Sequence, residues 1–256
     1  MNSRPFDFSG ATALVIGGAS GLGRAIAEEL AAHGAKVAVA ARQPEKARAA
    51  ARQIAEKTGG SVEACSADLA NEQSVVALGA FIDGTFDGRL NIAVNSGGTN
   101  IRNTIDDISL AEFETVQRTN ITGAFLFART VHPFLRRSGW GRLIHITSIF
   151  STRSFPGRTS YASSKGALLQ LTRTLALEWA TEGITVNAIS PGPIATEMMR
   201  PVIEDPKRAE QFLRRIPMNR FGEPREVATA ALFLASPASS FVTGSDVVVD
   251  GGWMSA

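Results

Sequence analysis

Short apolar runs alternate with segments of helical periodicity along nearly the whole chain. Residues 11–16, 36–41, 61–65, 90–94, 142–146, 184–189 and 246–249 are short and apolar, most of them bounded by turn residues, which predicts seven strands. Between them, residues 24–33, closed by Gly34, and residues 44–57, closed by Gly59-Gly60, carry the spacing and the stop signals of helices. Strands that alternate with helices predict the α/β class, a parallel sheet covered on both faces. No Pro/Ser/Gly-rich linker, repeat or low-complexity block divides residues 1–256, so one domain is expected. Residues 196–217 break the rhythm as a long, mostly polar insertion holding Pro201, Pro206 and Pro217. An insertion near strand ends reads as a substrate lid, with a plain surface excursion as the alternative.

Composition changes this picture mainly by exclusion. The chain is 44% hydrophobic and 20% charged, with a formal net charge of +2. Basic residues are scattered apart from pairs such as Arg136-Arg137 and Arg214-Arg215, so no stripe for nucleic acid is expected. Cys65, the single cysteine, excludes a disulfide within the chain and a cysteine-rich metal site, and it reads as a packed small residue. No apolar run of about 20 residues suggests a membrane span, and residues 1–10 lack the core of a signal peptide. A cytoplasmic protein without a metal is the expectation.

After the first strand comes Gly17-Gly18-Ala19-Ser20-Gly21-Leu22-Gly23. Glycine lets the backbone turn sharply and approach a pyrophosphate, and the helix that follows points its first amides at the anion. The frame of strand, glycine turn, helix and strand makes a dinucleotide site, on a Rossmann-type doubly wound parallel sheet, the expected arrangement. Gly17, Ser20, Gly21, Leu22 and Gly23 are its candidates. At the end of the second strand, where a carboxylate would favour the free ribose hydroxyls of NAD(H), the chain has Ala41-Arg42. A guanidinium favours a 2′-phosphate, so NADP(H) is expected over NAD(H). Arg42 opening a solvated turn is the alternative. Asp68, followed by Leu69, is placed either to bond the adenine edge or to cap the next helix. Asn95-Ser96-Gly97-Gly98 forms a further tight turn at the cofactor edge.

Tyr161 is the one tyrosine in the chain. Lys165 follows it by four residues, one helical turn away on the same face. Ser148 precedes it by thirteen residues, just past the apolar run at 142–146. A phenol, an ammonium and a hydroxyl converging at a strand end are the parts of a proton-transfer site.

This ordered set resembles the short-chain dehydrogenase/reductase family over essentially the whole chain. The likeness runs through Gly17, Gly21 and Gly23, the Asn95 turn, Asn120, Ser148, Tyr161 and Lys165, to Pro191-Gly192, Thr196 and Val249-Asp250-Gly251-Gly252. Two positions depart from the family pattern. Ile16 stands where the family usually has threonine, and Asn95-Ser96-Gly97-Gly98 replaces the usual Asn-Asn-Ala-Gly. The resemblance implies hydride transfer between a nicotinamide and a carbonyl or alcohol. It makes Tyr161 the general acid/base, Ser148 a donor to the substrate oxygen, and Lys165 a partner of the nicotinamide ribose. It also makes Asn120 the holder of a water in a proton relay. Pro191, Gly192, Ile194 and Thr196 would orient the carboxamide. A free phenol titrates near pH 10, so work near neutrality needs about 4 kcal/mol of added phenolate stabilisation. Lys165 and the positive nicotinamide ring are the expected sources.

Asn100-Ile101-Arg102, the run 220–226 and Phe233-Leu234-Ala235-Ser236 look like gluconate 5-dehydrogenases. Much of that pattern is shared with 3-oxoacyl-carrier-protein reductases. Arg102, Arg153 and Arg158 lie in loops at the expected mouth of the site, where a substrate carboxylate could use one of them. A small-molecule sugar acid or polyol is the first reading and a carrier-protein thioester the second. A nucleotide-sensing protein without catalysis is the third. The family usually forms tetramers, and the helices near 120–135 and 161–180 are apolar on more than one face, so a homotetramer is expected, with Trp253 and Met254 packing across an interface.

Overall fold

The computed structural model describes residues 6–256; residues 1–5, the start of the stretch read for a leader, lie outside it. Seven strands form one parallel sheet: β1 (Thr12–Ile16), β2 (Lys36–Ala41), β3 (Val62–Ser66), β4 (Ile92–Asn95), β5 (Gly141–Ile146), β6 (Ile184–Pro191) and β7 (Asp246–Val249). Their order is β3-β2-β1-β4-β5-β6-β7. The helices are α1 (Gly21–Ala32), α2 (Pro44–Thr58), α3 (Glu72–Phe86), α4 (Leu110–Gln117), α5 (Gly123–Arg137), α6 (Thr159–Trp179), α7 (Arg200–Ile203), α8 (Pro206–Leu213) and α9 (Pro224–Ala235).

The period of two along each strand explains the layers. In β1, Ala13 and Val15 pack against Ile26 and Leu30 of α1 and Val227 and Ala231 of α9. Leu14 and Ile16 point the other way, toward Leu78 and Ile82 of α3, Phe127 and Val131 of α5 and Trp179 of α6. Both faces are covered, which is why these strands read as continuous apolar runs. This is a Rossmann-like doubly wound sheet. Its order reverses between β1 and β4, which opens a crevice at the carboxyl ends of those strands.

Several elements differ in extent from the sequence reading. Helix α1 begins at Gly21 rather than at 24: Gly21 enters it from a left-handed φ of 52°, and the Arg24 amide already donates to the Ser20 carbonyl at 3.1 Å. β6 runs on to Pro191, held by its pairing with β7 as far as Val249. The stretch 196–217 is largely helical: a 3₁₀ turn at Glu197–Met199, then α7 and α8. Asp205 caps α8, accepting from the Lys207 and Arg208 amides at 3.0 and 3.3 Å. Helices α4 and α5 are joined without a break by a π-helical turn at Arg118–Thr122.

Candidate active site

Gly17 turns the chain out of β1 at φ 78°, a conformation that favours glycine. A Cβ there would lie 2.8 Å from the Gly97 amide nitrogen, and a Cβ on Gly23 would lie 2.3 Å from the Gly17 carbonyl oxygen. Backbone therefore meets backbone where β1, α1 and the loop after β4 join. The Gly17 and Gly18 amides donate to the Ala40 carbonyl at 2.9 and 3.3 Å, and the Ser96 amide donates to Ile16 at 3.0 Å. These bonds hold the turn although Ile16 offers no hydroxyl. Ser20 stands extended before α1, and its hydroxyl caps no amide there. A cradle that side chains would fill, below the first amides of a helix, fits a pyrophosphate.

A cavity of about 660 Å³ opens over this cradle and continues to Tyr161. Gly17, Ser20, Gly21, Leu22, Arg42, Asp68, Leu69 and Gly97 line it, as do Pro191, Gly192, Ile194 and Thr196. Gly23 and Asn95 stand behind the wall. Gly23 is buried in α1, and Asn95 Oδ1 accepts from the Gly97 amide at 3.2 Å. Asp68 accepts from the Ala70 amide at 3.0 Å, and the cap of α3 is Asn71 instead. Arg42 is exposed and makes no ion pair among the described residues. Lys46, in the first turn of α2, lines the same cavity.

At the other end, Ser148, Tyr161 and Lys165 share the cavity wall. β5 delivers Ser148, which begins a 3₁₀ turn and whose Oγ accepts from the Phe150 amide at 3.2 Å. The first turns of α6 carry Tyr161 and Lys165. Lys165 Nζ donates to the Ile146 carbonyl at 2.7 Å and lies 5.7 Å from the centre of the Tyr161 ring. Burial lowers Lys165 to about 8. It also pushes the Tyr161 phenol up, against a smaller downward pull from the Ser148 hydrogen bond and the Arg158 and Arg102 charges. The expected depression of the phenol by Lys165 is therefore not found: in this state desolvation outweighs the nearby charges.

Asn120 is buried in the π-helical turn. Its Oδ1 accepts from the Thr99 amide at 2.8 Å, and its Nδ2 donates to the Thr99 carbonyl and to Ser164 Oγ, each at 2.9 Å. A Cβ on Gly98 would sit 3.3 Å from Asn120 Oδ1 and 3.6 Å from Lys165 Nζ, so Gly98 borders both. Such a turn inserts one residue into a helix and re-aims its side chains, a device frequent at functional sites.

The three arginines read from the loops part company. Arg102 and Arg158 line the cavity. Arg153, read with them as a substrate candidate, is not on its lining: it is exposed and donates to the Met254 carbonyl at 3.3 Å. Trp253, expected at a subunit interface, lines the cavity of its own chain beside Phe212. The Arg215 guanidinium lies 5.0 Å from the Phe155 ring and 5.8 Å from Trp253.

Other residues went unread. Met198, Met199 and Phe212 reach the cavity from 196–217, and Asn100, Phe150 and Lys46 complete its walls. His145, hidden within an apolar run, is buried in β5; its Nδ1 pairs with Thr172 Oγ1 at 2.9 Å and its Nε2 has no partner among the described residues. Burial and the Lys165 charge hold it down to about 3. A histidine inside an otherwise apolar strand was the available signal. Cys65 is half-buried and its thiol is pushed up to about 12, which leaves it unreactive.

A family model described as enoyl-(acyl carrier protein) reductase matches residues 17–254. A tropinone reductase homologue of Arabidopsis thaliana is 37% identical over 251 residues, covering 97% of this chain and 94% of its own. Among solved structures, a gluconate 5-dehydrogenase from Burkholderia cenocepacia in complex with NADP and tartrate superposes with a TM-score of 0.93 at 33% identity, covering 98% of each chain. Pseudomonas aeruginosa RhlG in an active-site complex with NADP gives 0.92 at 34% identity, covering 98% of this chain and 99% of its own.

Proposed function

The chain belongs to the short-chain dehydrogenase/reductase family and is an oxidoreductase of carbonyl and alcohol groups; on that premise we propose that it works with NADP(H) in preference to NAD(H), on a sugar acid or polyol, as a gluconate 5-dehydrogenase does. The observation that carries this is the meeting of Ser148, Tyr161 and Lys165 on one wall of the cavity that also holds the glycine cradle. When bound, the nicotinamide supplies or accepts the hydride. Gly17, Ser20, Gly21 and Leu22 would hold its pyrophosphate, Asp68 and Leu69 its adenine end, and Pro191, Gly192, Ile194 and Thr196 its carboxamide end. Gly23, Asn95 and Gly97 support that cradle from behind and beside.

Burial keeps Tyr161 protonated at neutral pH. It is therefore set to give its proton to a ketone oxygen as negative charge grows there. Ser148 Oγ donates to the same oxygen and stabilises that charge. Lys165 is largely charged at neutral pH; its ammonium would bond the nicotinamide ribose and favours the phenolate that Tyr161 leaves behind. Asn120 orders Thr99 and Ser164 around Lys165 and holds the path by which the proton is replaced. Residues 196–217 act as a lid, since Thr196, Met198, Met199 and Phe212 lie on the cavity. Tyr161→Phe is expected to lower kcat by about 100- to 10,000-fold with NADPH binding intact. Absorbance at 340 nm with 5-ketogluconate and simple ketones reads this, and a near wild-type rate would remove Tyr161 from the role.

The preference for NADP(H) rests on Arg42, with Lys46 beside it. Arg42→Asp should reverse the ratio of NADPH to NADH efficiency. Carrier-protein thioesters are the second reading, favoured by the description of the matching family. Against it, Glu182 pairs with His132 at 3.0 Å and lies 3.9 Å from Arg136, which takes charge from a basic docking face. An acetoacetyl thioester in the same assay decides between them. Exposed Phe125 on α5 and Leu177 on α6 support a homotetramer packed through those helices.

A further inference from the structure

We infer that Arg158 and Arg102 form an anion subsite at the substrate end of the cavity, and that the substrate carries a carboxylate together with a free hydroxyl. This deepens the oxidoreductase reading and rests on it. Arg158 is only 8% exposed, yet neither it nor Arg102 lies within ion-pair distance of a carboxylate among the described residues. Phe150 takes one face of the Arg158 guanidinium, its ring centre 5.4 Å away. An aromatic face satisfies none of the N–H donors along the edge of the plane. Both arginines line the cavity, and the charge of Arg102 adds to the burial that disfavours a charged Arg158.

A guanidinium taken largely out of water, with a like charge beside it and no carboxylate within ion-pair distance, gains from an anion that enters the same cavity. A carboxylate offers two oxygens matched to the guanidinium fork. The cavity holds a complementary signal of the opposite kind. Asn100 lines the same cavity, and its buried Oδ1 accepts from no donor among the described residues. A substrate hydroxyl is a donor that would satisfy it. Arg158 stands three residues before Tyr161, one turn away at the start of α6, so the anion would sit close to the carbonyl that Tyr161 protonates. Together these fix a class: a short hydroxy acid bearing a ketone or secondary alcohol. A neutral polyol leaves the two charges uncompensated, and a cationic amino ketone such as tropinone is repelled by them.

The test is calorimetric titration with a panel of two- to six-carbon hydroxy acids, including D-gluconate, against D-glucitol, shorter neutral polyols and tropinone. Each is run with and without saturating NADP⁺. Acids should bind at least about tenfold tighter than the matched polyols, and tropinone weakest. Arg158→Gln should weaken acid binding by about 10- to 100-fold while leaving polyol affinity within about threefold. Arg158→Lys should keep part of the preference, and Arg102→Gln supplies an independent variant should Arg158→Gln fail to fold. Absence of acid preference across the panel, or equal weakening of acids and polyols in the glutamine variants, overturns the subsite. Failure of NADP⁺ to bind, or of NADPH to reduce any carbonyl, sinks the oxidoreductase reading instead and leaves the acid preference to be read on the protein alone.

Discussion

Between Phe8 and Gly141 no charged side chain is buried among the described residues, whereas Arg142, His145, Arg158 and Lys165 are all buried in the next stretch of chain. The nucleotide half of the cavity, around β1, β2 and β4, is held by backbone packed on backbone, as at Gly17 and Gly23. The catalytic half, around β5 and α6, packs through apolar side chains but carries ionisable groups taken out of water with few partners. The first should resist changes of pH and resist no added atom. The second should tolerate modest changes of shape and respond to pH.

The largest expected effect breaks the catalytic half with acid. His145 titrates at about 3 when folded against an ordinary value near 6.5. Between those values the unfolded chain binds one proton more, so stability is present above about pH 6.5 and is lost as pH falls toward 3, by on the order of 5 kcal/mol. Urea unfolding across that range should show this slope, and His145→Leu should flatten it. Lys165 gives the alkaline counterpart: held at about 8 against an ordinary value near 10.5, it makes stability rise with pH through that window. Lys165→Met should remove that rise of roughly 3 kcal/mol.

Next comes a steric break of the nucleotide half. Gly23→Ala drives a methyl against the Gly17 carbonyl and should cost about 3 kcal/mol along with NADPH affinity. Its stability deficit should be the same at pH 6 and pH 9; a deficit that varied strongly with pH would undo the contrast. Asn120→Ala strips partners from both backbone groups of Thr99 and should cost about 2 kcal/mol by thermal unfolding. The smallest effect is at the mouth. Trp253→Ala should cost about 1 kcal/mol, losing its contact with Arg215, while lowering KM for bulkier ketones.

The same contrast explains what could be read from the chain alone. Strand positions follow from alternation, and the glycine turn follows from a close approach that only glycine permits; both are local and survive in the sequence. The four-residue step from Tyr161 to Lys165 is also local. Arg153 and Arg158 lie five residues apart in one loop, and nothing in their neighbours tells which turns inward and which ties down Met254. Phe155, Phe212, Arg215 and Trp253 meet from three distant segments, so no window contains them. His145 was submerged in its apolar run because hydropathy registers burial and not the missing partner. The π-helical turn at Arg118–Thr122 was invisible for a different reason: one extra residue blurs a 3.6-residue period without announcing itself.

That turn also makes the long helix unevenly editable. Because the wide turn absorbs a surplus residue, deleting one position within 118–122 would let α4 and α5 close into a regular rod with their buried faces unmoved. Deleting one position within α5 would instead swing all that follows by roughly 100° and pull Phe127 and Val131 out of register with the sheet. The joint between the rods is where length is spare, and its slack is occupied by the one side chain that grips Thr99 and Ser164. A chain shortened there by a single codon should still fold, and should lose its hold on the wall beside Lys165.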